Sequence, residues 1–384
     1  MRTTATAGGP RDRTGLITEV GELTALAGEW RALAERRGDA FLTPEWFLAW
    51  LRHCGQGWEP HVAVARTPDG TVRGLLPLVS SKNNGPRDVR VCPIGDSFHP
   101  VADRGDDEAV AVVLAPAIAP PGRGLRSLLL ENVDADGEWW RALAKASETP
   151  LATVERNEAT LPFVDLAGLS WDEYLAGRSR QLRSQLGRKL RSLRREHDVR
   201  FRRTRSSEEV RDDLATLFRL HDARWAERSD SSALADPTVR EFHREFASAA
   251  FERGWLRLFV MEVDGVPIAA LYGWLIGGRW SYYQAGFDPA WSRHSPGFLL
   301  LGETISAAIE EGATEYDMLR GDEAFKRRFA TSSRTVRTIL LAPRGHQAHI
   351  NAAAVDRLRR AWRTLPARPR ARARRLASRL GVSR

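Results

Sequence analysis

The sequence predicts an α/β (α+β) protein of two similar lobes, each a mixed, mostly antiparallel sheet flanked by helices. Three observations carry this expectation. The chain has 384 residues, more than the roughly 100–150 of an ordinary domain. Between Trp255 and Leu319, strand-like runs and one helical run follow in the order β-β-β-α-β. The stretch His61–Leu78, strand, Asp-Gly turn, strand, also echoes Leu256–Leu275, as two copies of one fold would. Hydrophobic residues at 42%, charged residues at 28% and 13 tryptophans exclude a largely disordered chain.

In the first lobe, Glu22 to Arg37 reads as a helix because Leu23, Leu26, Trp30 and Leu33 recur at helical spacing, with Gly38 as its stop. Thr43-Pro44, a cap followed by a first-turn proline, opens a second helix whose Trp46, Phe47, Trp50 and Leu51 form an aromatic stripe of core type. His61–Arg66 and Val72–Ser80 form a hairpin across Thr67-Pro68-Asp69-Gly70. Strands at Val89–Ile94 and Leu125–Leu130, and helices at Asp107–Ala115 and Gly137–Ala146, complete the lobe. Arg156–Gly168 reads as a turn-rich connection. The expected divisions are a disordered start at 1–15, lobes at 16–165 and 166–345, and an arginine-rich tail at 346–384.

In the second lobe, Arg178–Arg195 carries eight basic residues, yet Leu182, Leu186, Leu190 and Leu193 share one helical face. An amphipathic helix with a solvated basic side fits this pattern; so does a face that meets an anionic substrate or polymer. Helices follow at Glu208–Arg228, where His221 and Trp225 share a face, and at Pro237–Arg253. Trp255–Val263, Val266–Ile276 and Trp280–Phe287 are then joined by Asp264-Gly265 and Gly277-Gly278, both two-residue hairpin turns, and should form an antiparallel meander. Gly297–Glu311 is helical and Glu315–Leu319 is a further strand.

The net charge of +9 is unevenly placed: 11 arginines and no acidic residue fall between Arg357 and Arg384. Removing them from the 58 basic residues leaves a near balance with the 49 acidic ones, so the body of the protein is about neutral. Cys54 and Cys92 belong to no metal or disulfide pattern, and the nine histidines form no HExxH motif, so no metal is expected. Met1–Gly15 lacks an apolar signal core, and no apolar run approaches the roughly 20 residues of a membrane span. A cytoplasmic protein is the expectation.

Two segments carry chemistry. The turn Ser292-Arg293-His294-Ser295-Pro296-Gly297 leads from a strand into a helix, an arrangement that aims backbone N–H groups and the positive helix end at one point, as a phosphate site requires. An ordinary helix start reads the same way. After the last strand comes Arg320-Gly321-Asp322-Glu323-Ala324-Phe325-Lys326. Charge at the C-terminal edge of a buried strand lies where open α/β sheets place their ligands.

Together with Tyr282-Tyr283-Gln284-Ala285-Gly286-Phe287-Asp288 and Ser295-Pro296-Gly297-Phe298-Leu299-Leu300, this charged segment resembles the GNAT acetyltransferases of the cellulose-biosynthesis CelD type, which are related to the FemAB-like peptidyltransferases. The resemblance is closest over Leu175–Arg344. It implies two tandem GNAT-like lobes and acetyl-CoA or another acyl-CoA as donor. Backbone amides of Ser295, Gly297, Phe298 and Leu299 would bind the pyrophosphate with help from Arg293, although Pro296 stands where the usual loop has its first glycine. Acyl transfer needs a base for the nucleophile's proton and donors for the oxyanion. Asp322 is the first choice for base and Glu323 the second. Lys326 would neutralise an oxyanion or bind an anionic acceptor, and Tyr283 and Gln284 would line the acyl pocket or orient the acceptor. The implied acceptor is a sugar, a polysaccharide precursor or another cell-envelope intermediate. The alternatives are FemAB-like transfer from aminoacyl-tRNA, or a polyanion binder with a degenerate acyl site. Contact of the tail with RNA or an anionic membrane surface stands beside a merely solvated tail.

Overall fold

The computed structural model describes residues 12–82, 85–120, 125–225 and 234–344. The first half runs β1 (Arg13–Ile17), α1 (Val20–Arg37), α2 (Pro44–His53), β2 (Trp58–Arg66), β3 (Val72–Ser81), β4 (Gly85–Val91), β5 (Val101–Ala102), α3 (Asp107–Ile118), β6 (Ser127–Asp134), α4 (Trp139–Ala146) and β7 (Leu151–Asp165). The second runs α5 (Trp171–Ala176), α6 (Arg180–Glu196), β8 (Val199–Arg203), α7 (Ser207–Trp225), α8 (Pro237–Glu252), β9 (Leu256–Val263), β10 (Val266–Ile276), β11 (Arg279–Phe287), α9 (Pro296–Glu310), β12 (Glu315–Asp317), α10 (Ala324–Phe329) and β13 (Ser332–Pro343).

Local chemistry accounts for the punctuation. Thr43 Oγ1 accepts the Trp46 N–H at 3.2 Å, and Pro44 fills the first turn of α2, where its missing N–H costs nothing. The β9–β10 turn places Asp264 and Gly265 at φ of 51° and 78°, the left-handed pair that a tight hairpin demands. Gly277, at φ 54°, passes so close to α1 that a Cβ there would sit 2.3 Å from the Glu35 carbonyl oxygen.

All strands join one sheet in the order β1-β2-β3-β4-β6-β13-β7-β12-β11-β10-β9-β8, with β5 beside β3. The halves repeat a pattern: the antiparallel run β1 to β4 ends on parallel β6, and the antiparallel run β8 to β11 ends on parallel β12. Each half gives its last strand to the other. β7 pairs with β12, β13 pairs with β6, and the two pair with each other from Ser332↔Phe163 to Pro343↔Leu151.

Leu23, Trp30, Trp46 and Leu75 share one core with Leu217, Phe242, Phe246 and Trp274, so the apolar interior runs across both halves. A second core lies on the opposite face of the second half, around Trp280, Leu300, Ile305, Tyr316 and Phe329.

Two expectations are corrected. Arg156–Gly168 is no turn-rich connection, since most of it belongs to β7, where pairing on both sides overrides polar composition. Arg13–Gly15, assigned to a disordered start, lies in β1 and pairs with β2. The tail expectation falls outside the described residues.

Candidate active site

β11 and β12 pair only from Arg279↔Glu315 to Ser281↔Asp317. Beyond that point β11 continues to Phe287, while the other chain turns away at Leu319 with φ 55°, so the sheet opens. A β-bulge marks the place: Tyr272 faces Gln284 and Gly273 faces Tyr282, leaving Tyr283 as the extra residue. Gly273 is required there, because a Cβ would lie 2.0 Å from the Ser281 carbonyl oxygen.

The opening leads into a cavity of about 490 Å³ between the halves, walled by Asp96, Asn132, Gln284, Arg320, Glu323 and Lys326 among others. A narrower, mostly apolar groove of about 210 Å³ adjoins it at the start of α9, lined by Phe287, Ser295, Pro296, Gly297 and Phe298. Arg224, Tyr282, Ala285 and Phe325 line both. Four described residues other than glycine have positive φ, and three of them, Asn132, Leu319 and Ser295, line these two spaces. Backbone strain of this kind gathers where function fixes a conformation.

Lys326 is buried; its Nζ donates to the Arg320 carbonyl at 2.9 Å and lies 3.2 Å from Glu323 Oε2. Asp96 comes from the first half: its carboxylate accepts the Arg320 N–H at 3.1 Å and lies 3.5 Å from Arg320 Nε. Burial pushes the Asp96 carboxyl above the usual carboxylate range, against the pull of Arg320. Tyr283 packs in an aromatic cluster, 5.1 Å from both the Trp274 and His243 rings, and burial raises its hydroxyl well above the ordinary tyrosine value. Gln284 bonds His221, whose imidazole burial lowers to about 4.

The structure therefore gathers Glu323, Lys326, Tyr283 and Gln284 at one cavity and Ser295, Gly297 and Phe298 at the next. Asp322, the first choice for base, is not in either wall; it is half exposed, with its carboxylate 2.8 Å from Arg327. Arg293 donates to His294 at 2.8 Å and is also outside both walls. Leu299 turns its side chain into the second core.

The expected row of amides contracts to one. Ser295 N–H donates to Ser292 O at 3.0 Å, and Ser295 O accepts the N–H groups of Phe298 at 3.0 Å and Leu299 at 3.2 Å. Pro296 has no N–H. Among the described residues, only the Gly297 amide of these lacks a partner at this turn, with the Ser295 hydroxyl unused as a cap. A Cβ on Gly297 would stand 3.6 Å from the Phe287 ring, inside the groove. The groove thus offers a mostly apolar wall and one free amide rather than a row of amides.

Asp96, Asn132, Arg224 and Tyr282 were missed in the sequence. For Asp96 and Asn132 the signal was the internal echo: their segments follow β4 and end β6, as the Tyr282–Phe287 and Leu319–Arg320 segments follow the paired parts of β11 and β12.

Residues 180–327 match the family model described as acetyltransferase (GNAT) domain. The matched segment, under half of the chain, contains the basic helix, the meander, the groove and the charged loop, and gives this part of the chain a GNAT-type acetyltransferase domain. The structure of FemX superposes with a TM-score of 0.62 at 13% identity, covering 85% of this chain and 96% of that one. The C-terminal domain (DUF2156) of a putative lysylphosphatidylglycerol synthetase from Agrobacterium fabrum gives 0.55 at 15% identity, covering 87% and 95%. L-PGS from Bacillus licheniformis gives 0.53 at 14%, covering 90% and 98%. These likenesses are of fold. No curated protein matches the sequence.

Proposed function

We propose that the protein is an acyl-CoA-dependent N- or O-acyltransferase, cytoplasmic, acting on a sugar, a polysaccharide precursor or another cell-envelope intermediate. The observation that carries the reading is the opening between β11 and β12, which joins an apolar groove to a polar cavity built by both halves. The acyl arm lies in the groove and the acceptor in the cavity. Glu323 takes the proton of the attacking amine or hydroxyl as the new C–N or C–O bond forms. Lys326 donates to the Arg320 carbonyl and is ion-paired with Glu323, and it supplies positive charge and an N–H to the developing oxyanion. The C–S bond of the thioester breaks, and the departing thiolate takes up the proton that Glu323 had accepted. Among the described residues no helix is long and apolar enough to cross a membrane.

Calorimetric titration with acetyl-CoA and longer acyl-CoAs tests this reading. Saturable binding that disappears in Gly297→Trp is expected, because the indole fills the groove; no binding to any acyl-CoA would remove the donor from the proposal.

A second reading, aminoacyl transfer from tRNA, is favoured by the contraction of the amide row to Gly297 and by the basic helix α6 at the groove's entrance, where Lys189 Nζ donates to Arg293 O at 3.2 Å. The likeness to FemX and to lysylphosphatidylglycerol synthetase domains supports the same alternative. Salt-dependent RNA retention without acyl-CoA binding would select it over the first.

A further inference from the structure

The charged groups around the larger cavity are paired, with one exception. Glu323 holds Lys326, Asp96 holds Arg320, and Glu131 is bonded to Arg90. Arg224 also lines the cavity, yet among the described residues no carboxylate lies within ion-pair distance of it; Asp222, two residues earlier on α7, bonds Arg240 at 2.7 Å. The guanidinium is held in place by other means. Its Nη1 donates to the Ala285 carbonyl at 3.2 Å on the open part of β11, and its Cζ stands 5.5 Å over the Phe287 ring. Its Nε is buried without a hydrogen-bond partner. A fixed planar fork with a spare donor, desolvated at the point where two cavities meet, matches the two oxygens of a carboxylate or phosphate. A guanidinium that lines the cavity with no carboxylate beside it in the free protein gains a charged partner when such a group arrives.

We infer that Arg224 is a specificity-determining anion receptor at the junction of groove and cavity, and that one of the two substrates carries a carboxylate or phosphate that seats on it. This rests on the acyl-transfer reading of the site. The group belongs either to the donor, as a carboxylate at the far end of the acyl chain, or to the acceptor.

Titration of the full chain and of Arg224→Gln and Arg224→Lys with four probes tests the inference and distinguishes the sources. If the anion is the donor's, succinyl-CoA binds the wild type roughly tenfold or more tightly than acetyl-CoA, and that ratio collapses in Arg224→Gln. If it is the acceptor's, the two thioesters bind alike, while millimolar succinate or inorganic phosphate raises the unfolding temperature of the wild type and not that of Arg224→Gln. Arg224→Lys, which keeps the charge and the stem over Phe287 but loses the fork, is expected to be intermediate in either arm, and it serves alone should Arg224→Gln fail to fold. Wild type and variants that respond alike to all four probes would overturn the proposal. Failure of acetyl-CoA to bind at all would count against the acyl-CoA reading instead, with the succinate and phosphate arm still deciding the role of Arg224.

Discussion

Glu323 and Asp322 are adjacent in the chain and equally exposed, at 53% and 54%, but differ in partner: the first walls the cavity beside buried Lys326, the second pairs with Arg327 outside it. Glu323→Gln should lower acyl-transfer turnover by roughly 10²–10⁴-fold, the usual contribution of a positioned base, whereas Asp322→Asn should stay within a few-fold. Initial rates of thiol release for the two variants decide between them. The position of the charged segment after a buried strand was legible; which of its two carboxylates meets Lys326 depends on α10 starting at Ala324, a boundary the sequence does not specify. Three buried histidines add a pH dependence. Burial lowers His61 and His221 to about 4 and His243 to about 3. Between those values and about 6.5 the unfolded chain binds more protons, so stability falls as pH drops, by about 1.4 kcal/mol per pH unit for each histidine. The raised Asp96 and Asp317 carboxyls act in the opposite sense, since the native state holds their protons longer and that part of the stability falls as pH rises. The clean measurement is therefore a difference: His243→Phe, which removes two buried unpartnered ring nitrogens, should flatten the wild-type loss of stability between pH 6.5 and 4 in denaturant titrations. An unchanged slope would contradict it.

Among the elements, those with their own punctuation were legible. The β9–β10–β11 meander follows from Asp264-Gly265 and Gly277-Gly278, α2 from Thr43-Pro44, and the hairpin of β2 and β3 from its Asp-Gly turn. β7 was not legible, because its partners come from the other half and its polar residues satisfy pairing rather than an apolar face. The bulge that opens the sheet was hidden as well, since a bulge is a mismatch between two strands rather than a property of one. Gly273→Ala tests its importance: the added methyl has no room beside the Ser281 carbonyl, so the β10–β11 register must shift. A destabilisation of about 1–3 kcal/mol is expected, together with weakened donor binding. Normal stability and binding would show that the bulge does not shape the site.

At the scale of the whole molecule, the exchange of β7 and β13 ties the halves together, and the shared core around Trp46, Phe246 and Trp274 does so a second time. Unfolding should accordingly be a single transition by calorimetry and by tryptophan fluorescence, not two separable steps. Resolved steps would contradict this. The internal echo hinted at the duplication, but no local pattern reveals that the last strands are traded, because the exchange changes partners without changing periodicity. The same exchange places the larger cavity between the halves, with Asp96 and Asn132 on one side and Glu323 and Lys326 on the other.

The most direct test of the site is amide hydrogen exchange with and without saturating acetyl-CoA. Protection should appear at Gly297, along the open part of β11 from Tyr282 to Phe287, and in the Leu319–Lys326 loop, with the first-half counterpart at residues 92–107 changing only near Asp96. Protection centred elsewhere, or none in the opening between β11 and β12, would contradict the assignment of that opening as the donor site.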